Sequence, residues 1–404
     1  MSLKAREADG QRIYSVALDS GALGFIVIDS TIGGRARGGL RMVEDASEAE
    51  VRAAARAMTL KYGFLGLPQG GAKAALGADG EASVAEKRER LREFADAVAP
   101  LLRERVYVPD SDLGTRAEDI RWMLESIGVR GKRGEWRSHR SGYFTAASCL
   151  ASVEALMRRQ GASLAGCRVA IEGFGNVGSP LADFMTRRGA AVVAISTSRG
   201  ALYHPKGLDV NRLSRLSAEL GSSVVEHYDD AESLDRGALL ELPVDVLCPC
   251  ARYHSIQEGN ALRVEAPVVC AGANDPVSPA AERILFERGV TFPPDFITNC
   301  GGVLGSTLEF AAVRPARIAS LIERHVGDQV SALLEQAERE RVPPRALAEP
   351  LALARHERVR AASEHPTLLT RALSLGLEGY RRGWVPKTLV SLLTPRYVER
   401  LLGR

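Results

Sequence analysis

The chain has 404 residues, with 53 basic against 50 acidic side chains, 45% hydrophobic residues and a net charge of +3. That length accommodates more than one core, since a domain typically runs to ~100–200 residues, and the mixture excludes a disordered or collagen-like chain. Nearly balanced, interspersed charge excludes nucleic acid or a membrane surface as the main partner. The start, MSLKAREADGQRIYSV, lacks the apolar core of a secretory leader, and no apolar run approaches the ~20 residues of a membrane span. Six cysteines in a chain this long are not a disulfide framework, so the expected compartment is reducing and cytoplasmic.

Taken in chain order, strands are predicted at RIYSVALDS and LGFIVIDST, where apolar and polar residues partly alternate. A helix is predicted from about Ser47 to Tyr62, with Val51, Ala54, Ala55, Met58 and Tyr62 at helical spacing. Ser47 followed by Glu50 matches a capping box at its start. From Cys167 the texture changes to strand (CRVAIEG), glycine-rich turn (FGNVG), helix (SPLADFMTRRG) and strand (AAVVAIS), the order of a βαβ unit. Further buried strands are predicted at VDVLCPC, APVVCAGAN and around GVTFPPDFITN, completing a second half over roughly 240–300. After Glu309 the chain reads as mostly helical, with Pro343 and Pro344 separating two helices. Cys248 and Cys250 form a Cys-Pro-Cys pair, but no second pair follows at zinc-site spacing, and core thiols are the expected reading.

Gly173-Phe174-Gly175-Asn176-Val177-Gly178 follows a predicted strand and opens a predicted helix, the setting a dinucleotide-binding turn requires. The first glycine permits the tight turn, the second lets backbone approach a pyrophosphate, and the third lets helix and strand pack closely. The end of the next strand, where an acidic residue would hold the ribose 2′-hydroxyl of NAD, reads Ser196, Thr197, Ser198 and Arg199. Hydroxyls and a guanidinium without a carboxylate tilt the expectation towards NADP and leave NAD open. Arg199 pointing to solvent is the alternative.

Two lysines, Lys61 and Lys73, sit in the apolar, glycine-rich stretch MTLKYGFLGLPQGGAKAAL. A partly desolvated lysine beside another cation loses its proton more readily and can act as a base. The alternative is a pair of lysines that bury their stems and keep their amines in water. In VYVPDSDLGT, Asp110 and Asp112 offer a carboxylate to shuttle protons, or a cap for a helix beginning near Arg116.

On these residues the chain resembles the glutamate, leucine, phenylalanine and valine dehydrogenase superfamily over about residues 10–360. The matching blocks are GGLRM at 38–42, LPQGGAK at 67–73, SDLGT at 111–115, GFGNVG at 173–178, GANDP at 272–276 and NCGGV at 299–303. The resemblance implies an α/β protein of two domains. These are a substrate and oligomerisation domain over 1–145 and a Rossmann-type, doubly wound dinucleotide-binding domain over 146–310, followed by C-terminal helices over 311–404 that pack back on the first. It implies a homo-oligomer that oxidatively deaminates an L-amino acid to a 2-oxo acid and ammonia with NAD or NADP. Lys61 then holds the substrate α-carboxylate, Lys73 is the catalytic lysine, and Asp112 rather than Asp110 handles the amine proton. Ser141, Asn176 and Asn274 match cofactor-lining positions, together with Gly173, Gly175, Val177, Gly178, Thr197 and Ser198. Asn299 matches a residue near nicotinamide and substrate, and Gly39 and Val303 fall in blocks that line the substrate.

Substrate choice stays open. Arg37, where the glutamate enzymes carry a lysine, and Ser306 together suit an acidic or polar side chain, whereas the flanking IDSTIGGRARGGLRM is closer to the branched-chain and aromatic enzymes. Phe144 stands where the family has glycine. Together with the missing ribose carboxylate it motivates an alternative, a nucleotide-binding paralogue without turnover. Another two-domain dehydrogenase, acting on a hydroxy acid, is a third reading.

Overall fold

In the computed structural model the chain is described for residues 2–80, 82–130 and 140–402, and it divides into two compact units. The first holds Met1–His139, Leu308–Val313 and Pro350–Arg404, and the second Arg140–Thr307 and Arg314–Glu349. The second unit therefore opens at Arg140 and reclaims 314–349, while Leu308–Val313 and the chain from Pro350 onwards return to the first.

In the first unit, β1 (Ser2–Ala8), β2 (Gln11–Ala17), β3 (Leu23–Ile28) and β4 (Ala36–Val43) precede α1 (Glu48–Leu65) and β5 (Gly70–Gly77). Then come α2 (Val84–Ala97), α3 (Ala99–Arg103), β6 (Tyr107–Ser111) and α4 (Ala117–Ser126). The strands form one mixed sheet in the order β1-β2-β3-β5-β4-β6, parallel from β5 through β4 to β6 and antiparallel elsewhere. Alternation along a strand sends successive side chains to opposite faces, and here the two faces differ in character. Leu40, Met42, Ala72, Ala74, Leu76 and Tyr107 point into a core closed by Leu91, Phe94, Leu102, Ile120 and Met123 of α2–α4. The other face packs on α1 through Ile13, Val27, Ala75, Val51 and Ala55.

Ser47 caps α1 by accepting from the Glu50 N–H at 3.3 Å. The capping box is only half formed, because the Glu50 carboxylate turns to Arg41 instead. Neither Asp110 nor Asp112 caps α4. The Arg116 N–H is taken by Asp119 at 2.7 Å.

The second unit begins with α5 (Ser141–Arg159), β7 (Arg168–Glu172), α6 (Gly178–Arg187), β8 (Ala191–Thr197) and β9 (Gly200–Tyr203). It continues through α7 (Val210–Leu220), β10 (Glu232–Leu234), β11 (Val246–Pro249), α8 (Glu258–Ala261), β12 (Val268–Val269), α9 (Pro279–Glu287) and α10 (Asp295–Thr298). Its sheet runs β10-β9-β8-β7-β11-β12, parallel from β8 to β12 with an antiparallel edge at β9 and β10. The strand predicted around GVTFPPDFITN does not form. Thr291 makes a single bridge to Val268 before Pro293 and Pro294, which cannot donate to a ladder, and α10 follows at once.

The helices α11 (Gly301–Phe310), α12 (Pro315–Glu340), α13 (Pro344–Glu364), α14 (Leu368–Arg381) and α15 (Lys387–Leu402) complete the chain, with Pro343 and Pro344 at the break between α12 and α13. In the first unit, α13 lies so close to α1 that a Cβ on Gly63 would stand 2.1 Å from the Ala352 carbonyl oxygen. Arg355 Nη1 donates to the Phe64 carbonyl at 2.7 Å there, so the C-terminal segment braces the end of the helix that carries Lys61. Among the described residues no helix is long and apolar enough to cross a membrane.

Candidate active site

In the first unit a charged row lies on the α1 face of the sheet. Register places Arg37, Gly39 and Arg41 of β4, Lys73 of β5 and Asp110 of β6 on that face, with Asp112 just beyond β6. Lys73 and Lys61 are only 5% and 6% exposed, unlike lysines that bury their stems and carry their amines out to water. The Lys73 ammonium is ion-paired with the Asp112 carboxylate. Burial opposes ionisation of Asp112, but Lys73 and Arg41, with the Leu113 N–H donating at 2.7 Å, outweigh it and hold its carboxyl well below the usual range.

The backbone around Asp112 is fixed on both sides. Its N–H donates to Thr115 Oγ1 at 3.0 Å, and the Thr115 hydroxyl donates to the Leu40 carbonyl at 2.8 Å. Gly39 lies buried between strands β5 and β6. A Cβ there would meet the Asp112 Cβ at 2.8 Å and Oδ2 at 3.0 Å.

Arg37 pairs with Asp110, Nη2 to Oδ2 at 2.9 Å, and its carbonyl accepts from the Tyr62 hydroxyl at 3.5 Å. Burial pushes the Tyr62 hydroxyl above its ordinary range, so it stays a donor. Sequence reasoning set Asp110 aside in favour of Asp112 and missed its pairing with Arg37. The available signal was the spacing of two, which puts both carboxylates on one face of a strand.

In the second unit the glycine turn has the shape its residue types imply. Gly173 takes φ +92°, and its N–H donates to Ser196 Oγ at 2.9 Å. A Cβ on Gly178 would stand 1.7 Å from the Gly173 carbonyl oxygen, so helix and strand meet there with no room for a side chain. A Cβ on Gly175 would meet nothing within 4 Å, leaving open backbone at the end of β7 of the kind a pyrophosphate requires. The turn therefore fits a dinucleotide.

Other expected residues gather around the start of α5. Ser141 is exposed in its first turn, and the next residue, Gly142, would bring a Cβ to 2.1 Å from the Asn176 carbonyl oxygen. The loop before Asn274 approaches Val177, 3.0 Å from a Cβ on Gly272. Buried Asn299 donates from Nδ2 to the Ala273 carbonyl at 2.8 Å and to Asn274 Oδ1 at 3.3 Å. Val303 and Ser306 follow on α11, whose Gly302 would put a Cβ 2.5 Å from Thr145 Oγ1, and Ser306 Oγ donates to the Gly302 carbonyl at 2.8 Å. Phe144 is fully buried, and Gly305 makes space for it, because a Cβ on Gly305 would lie 2.2 Å from the ring.

At the end of β8 the Thr197 hydroxyl donates to the Ser222 carbonyl at 2.7 Å and accepts from the Arg199 N–H at 3.1 Å. Ser198 and Arg199 are exposed.

Sequence reasoning also missed Arg345, which ion-pairs Glu282 at 2.7 Å and Asp295 at 2.8 Å. Asp295 Oδ2 accepts from the Asp275 N–H at 2.9 Å, and the Asn299 N–H donates to the Asp295 carbonyl at 2.9 Å, so this ion cluster anchors the loop and the helix that carry Asn274 and Asn299. Nothing in the local sequence marks Arg345. Cys248 is buried in β11, its thiol pushed up by burial and by neighbouring Cys149.

Two family descriptions match the chain: "Glu/Leu/Phe/Val dehydrogenase, dimerisation domain" over residues 12–128 and "Glutamate/Leucine/Phenylalanine/Valine dehydrogenase" over 138–365. The NAD-specific glutamate dehydrogenase of Staphylococcus aureus is 33% identical over 289 residues, 69% of either chain. The NADP(+)-dependent glutamate dehydrogenase of Pyrobaculum calidifontis is 33% identical over 314 residues, 73% of this chain and 75% of its own. The structure of hetero-hexameric glutamate dehydrogenase from Thermus thermophilus, in its Leu-bound form, superposes with a TM-score of 0.73 at 27% identity, covering 89% of this chain and 90% of that one. The chain belongs to the glutamate/leucine/phenylalanine/valine dehydrogenase family.

Proposed function

We propose that this chain is an NAD(P)-dependent L-amino acid dehydrogenase, catalysing the reversible oxidative deamination of an L-amino acid to a 2-oxo acid and ammonia. The observation that carries the reading is the Lys73–Asp112 ion pair, a base and an acid held on one sheet face, with a second lysine, Lys61, buried in the helix α1 that packs on that face. Curated relatives named as glutamate dehydrogenases, one NAD-specific and one NADP(+)-dependent, support the reaction class.

Lys61 supplies the positive charge that holds and orients the substrate α-carboxylate. A nicotinamide dinucleotide, held by the turn Gly173–Gly178 and the residues gathered on it, supplies the acceptor for the hydride of the substrate Cα. The amino group enters as the neutral amine, its proton lost to water, and becomes an iminium ion when the Cα hydrogen leaves as hydride. Lys73 acts as its neutral amine, after giving its ammonium proton to solvent. The neutral Lys73 amine takes a proton from the water that attacks the iminium carbon, and Asp112 relays that proton from Lys73 to the nitrogen of the resulting carbinolamine. As ammonia departs, the carbinolamine hydroxyl proton returns to Lys73, leaving the 2-oxo acid. A dimerisation-domain match and a hetero-hexameric structural neighbour support assembly into an oligomer.

The test is direct. Purified protein with NAD+ or NADP+ and a panel of the protein amino acids should generate the absorbance of reduced nicotinamide, and the reverse reaction should require ammonia. Cofactor binding without reduction by any amino acid overturns the reading, and reduction by hydroxy acids alone assigns a different substrate class.

A further inference from the structure

We propose that Asp110 is a specificity-determining residue that turns this site away from acidic amino acids and towards L-amino acids with uncharged side chains. The proposal rests on the deaminase reading above. Two carboxylate–cation pairs share one sheet face in the first unit: Lys73 with Asp112, and Arg37 with Asp110. Register places Gly39 opposite Asp110, and Arg37 two residues earlier on the same strand. At ~3.3 Å per residue, Arg37 lies about 7 Å along β4 from the Gly39 row that Lys73 and Asp112 flank. Arg37 lies on one side of that row and Arg41, paired with Glu50, on the other. A substrate whose reacting carbon sits at Lys73 and Asp112 and whose side chain runs back along β4 extends it past Asp110, opposite Gly39, to Arg37.

The second pair is half-buried, with side-chain exposures of 32% and 36%, so it can be approached. Its net charge is near zero. A distal carboxylate arriving there meets a guanidinium already bonded to one carboxylate at 2.9 Å, and must share it while lying against a like charge. Displacing Asp110 instead leaves that carboxylate unpaired. An apolar, hydroxyl or amide side chain leaves the ion pair intact and meets none of these costs. A cationic side chain finds Asp110 occupied. Arginine at position 37 alone reads as a receptor for an acidic side chain, and its partner on the neighbouring strand reverses that reading.

The test compares kcat/KM for L-glutamate, L-glutamine, L-leucine and L-methionine in the wild type and in Asp110→Asn, which keeps the shape and removes the charge. The wild type should favour an uncharged substrate over L-glutamate by at least tenfold. Asp110→Asn should raise kcat/KM for L-glutamate by at least tenfold, with no comparable gain for L-leucine. A wild type that prefers L-glutamate, or a variant that does not gain on it selectively, overturns the proposal. Asp110→Ser repeats the test if the asparagine variant does not fold. If neither protein reduces cofactor with any amino acid, the deaminase reading fails separately. Calorimetry with glutarate and 4-methylpentanoate still reads the pocket in that case, and tighter binding of glutarate by the wild type overturns the proposal on its own.

Discussion

The Lys73 ammonium on β5 reaches the Asp112 carboxylate beyond β6 by passing over Gly39 of β4, the strand between them. The pair exists because position 39 carries no side chain. A Cβ there would stand 2.8 Å from the Asp112 Cβ, and Asp112 cannot give way easily while its backbone is tied to Thr115. Gly39→Ala should therefore displace the carboxylate and lower kcat at least tenfold in a folded protein, since displacements of about 1 Å at a reacting centre can cost ~10²-fold. Steady-state kinetics beside circular dichroism checks this, and an alanine variant with wild-type kcat would show that the close approach has no catalytic consequence.

Lys73→Ala should abolish turnover while cofactor binding survives, because the glycine turn is built within the second unit from its own elements. General acid–base catalysis is typically worth ~10²–10⁴-fold, so a variant that retains more than about a tenth of kcat would falsify the role given to Lys73. Cofactor binding, followed by the fluorescence of the reduced nicotinamide, separates lost chemistry from lost structure.

Much of this site was legible from residue types. The glycines of the turn, at 173 and 178, and lysines stranded among apolar neighbours, at 61 and 73, report their surroundings through composition alone, whereas the close approach over Gly39 shows only in the fold. Partnership across strands does not. Asp110 is indistinguishable from a turn residue until β4 and β6 are in register, and the carboxylate of Glu50 chooses Arg41 over its helix cap only once those strands are placed. Phe144 read as crowding because its compensation, Gly305, lies far along the chain. The apolar stretch ending in FITN read as a strand on hydrophobicity, and Pro293 and Pro294 decided otherwise.

The ribose end of the cofactor site makes its own prediction. Ser196 is spent on the Gly173 N–H and Thr197 on the Ser222 carbonyl, which leaves Ser198 and Arg199 exposed at the end of β8. Arg199→Glu should lower the ratio of kcat/KM for NADP+ over NAD+ by at least tenfold, by repelling a 2′-phosphate and accepting from a 2′-hydroxyl. A ratio that does not move would mean that the guanidinium faces water in the complex as well.

Gly63→Ala tests the brace between α1 and α13. The added methyl would lie 2.1 Å from the Ala352 carbonyl oxygen and 3.1 Å from the His356 Cβ, so the helices must separate. Overpacking of this kind costs about 1–3 kcal/mol, read as a lower midpoint in thermal or denaturant unfolding. An unchanged midpoint would mean that the C-terminal segment shifts freely over α1 and does not hold it.

The last strand residue before the glycine turn, Glu172, gives the second unit a pH-dependent stability of unusual sign. It is 6% exposed, and burial raises its carboxyl from 4.5 to about 7, against the pull of the Ser255 hydroxyl donating at 2.9 Å. Between those values the folded chain keeps a proton that the unfolded chain has lost, so stability falls as pH rises through this window and levels off above about 7. The full swing is roughly 3 kcal/mol at ~1.36 kcal/mol per pH unit. Asp275, raised to about 7 by burial and by neighbouring Asp295, acts in the same direction. Glu172→Gln keeps an acceptor for Ser255 without the titration, so its unfolding free energy should fall less steeply with pH than that of the wild type, with Asp275 and Glu282, whose carboxyl burial also raises, among the sources of the remaining slope. Denaturant unfolding at a series of pH values reads both slopes, and identical slopes would mean that Glu172 is already ionised in the folded protein at the acid end of the range.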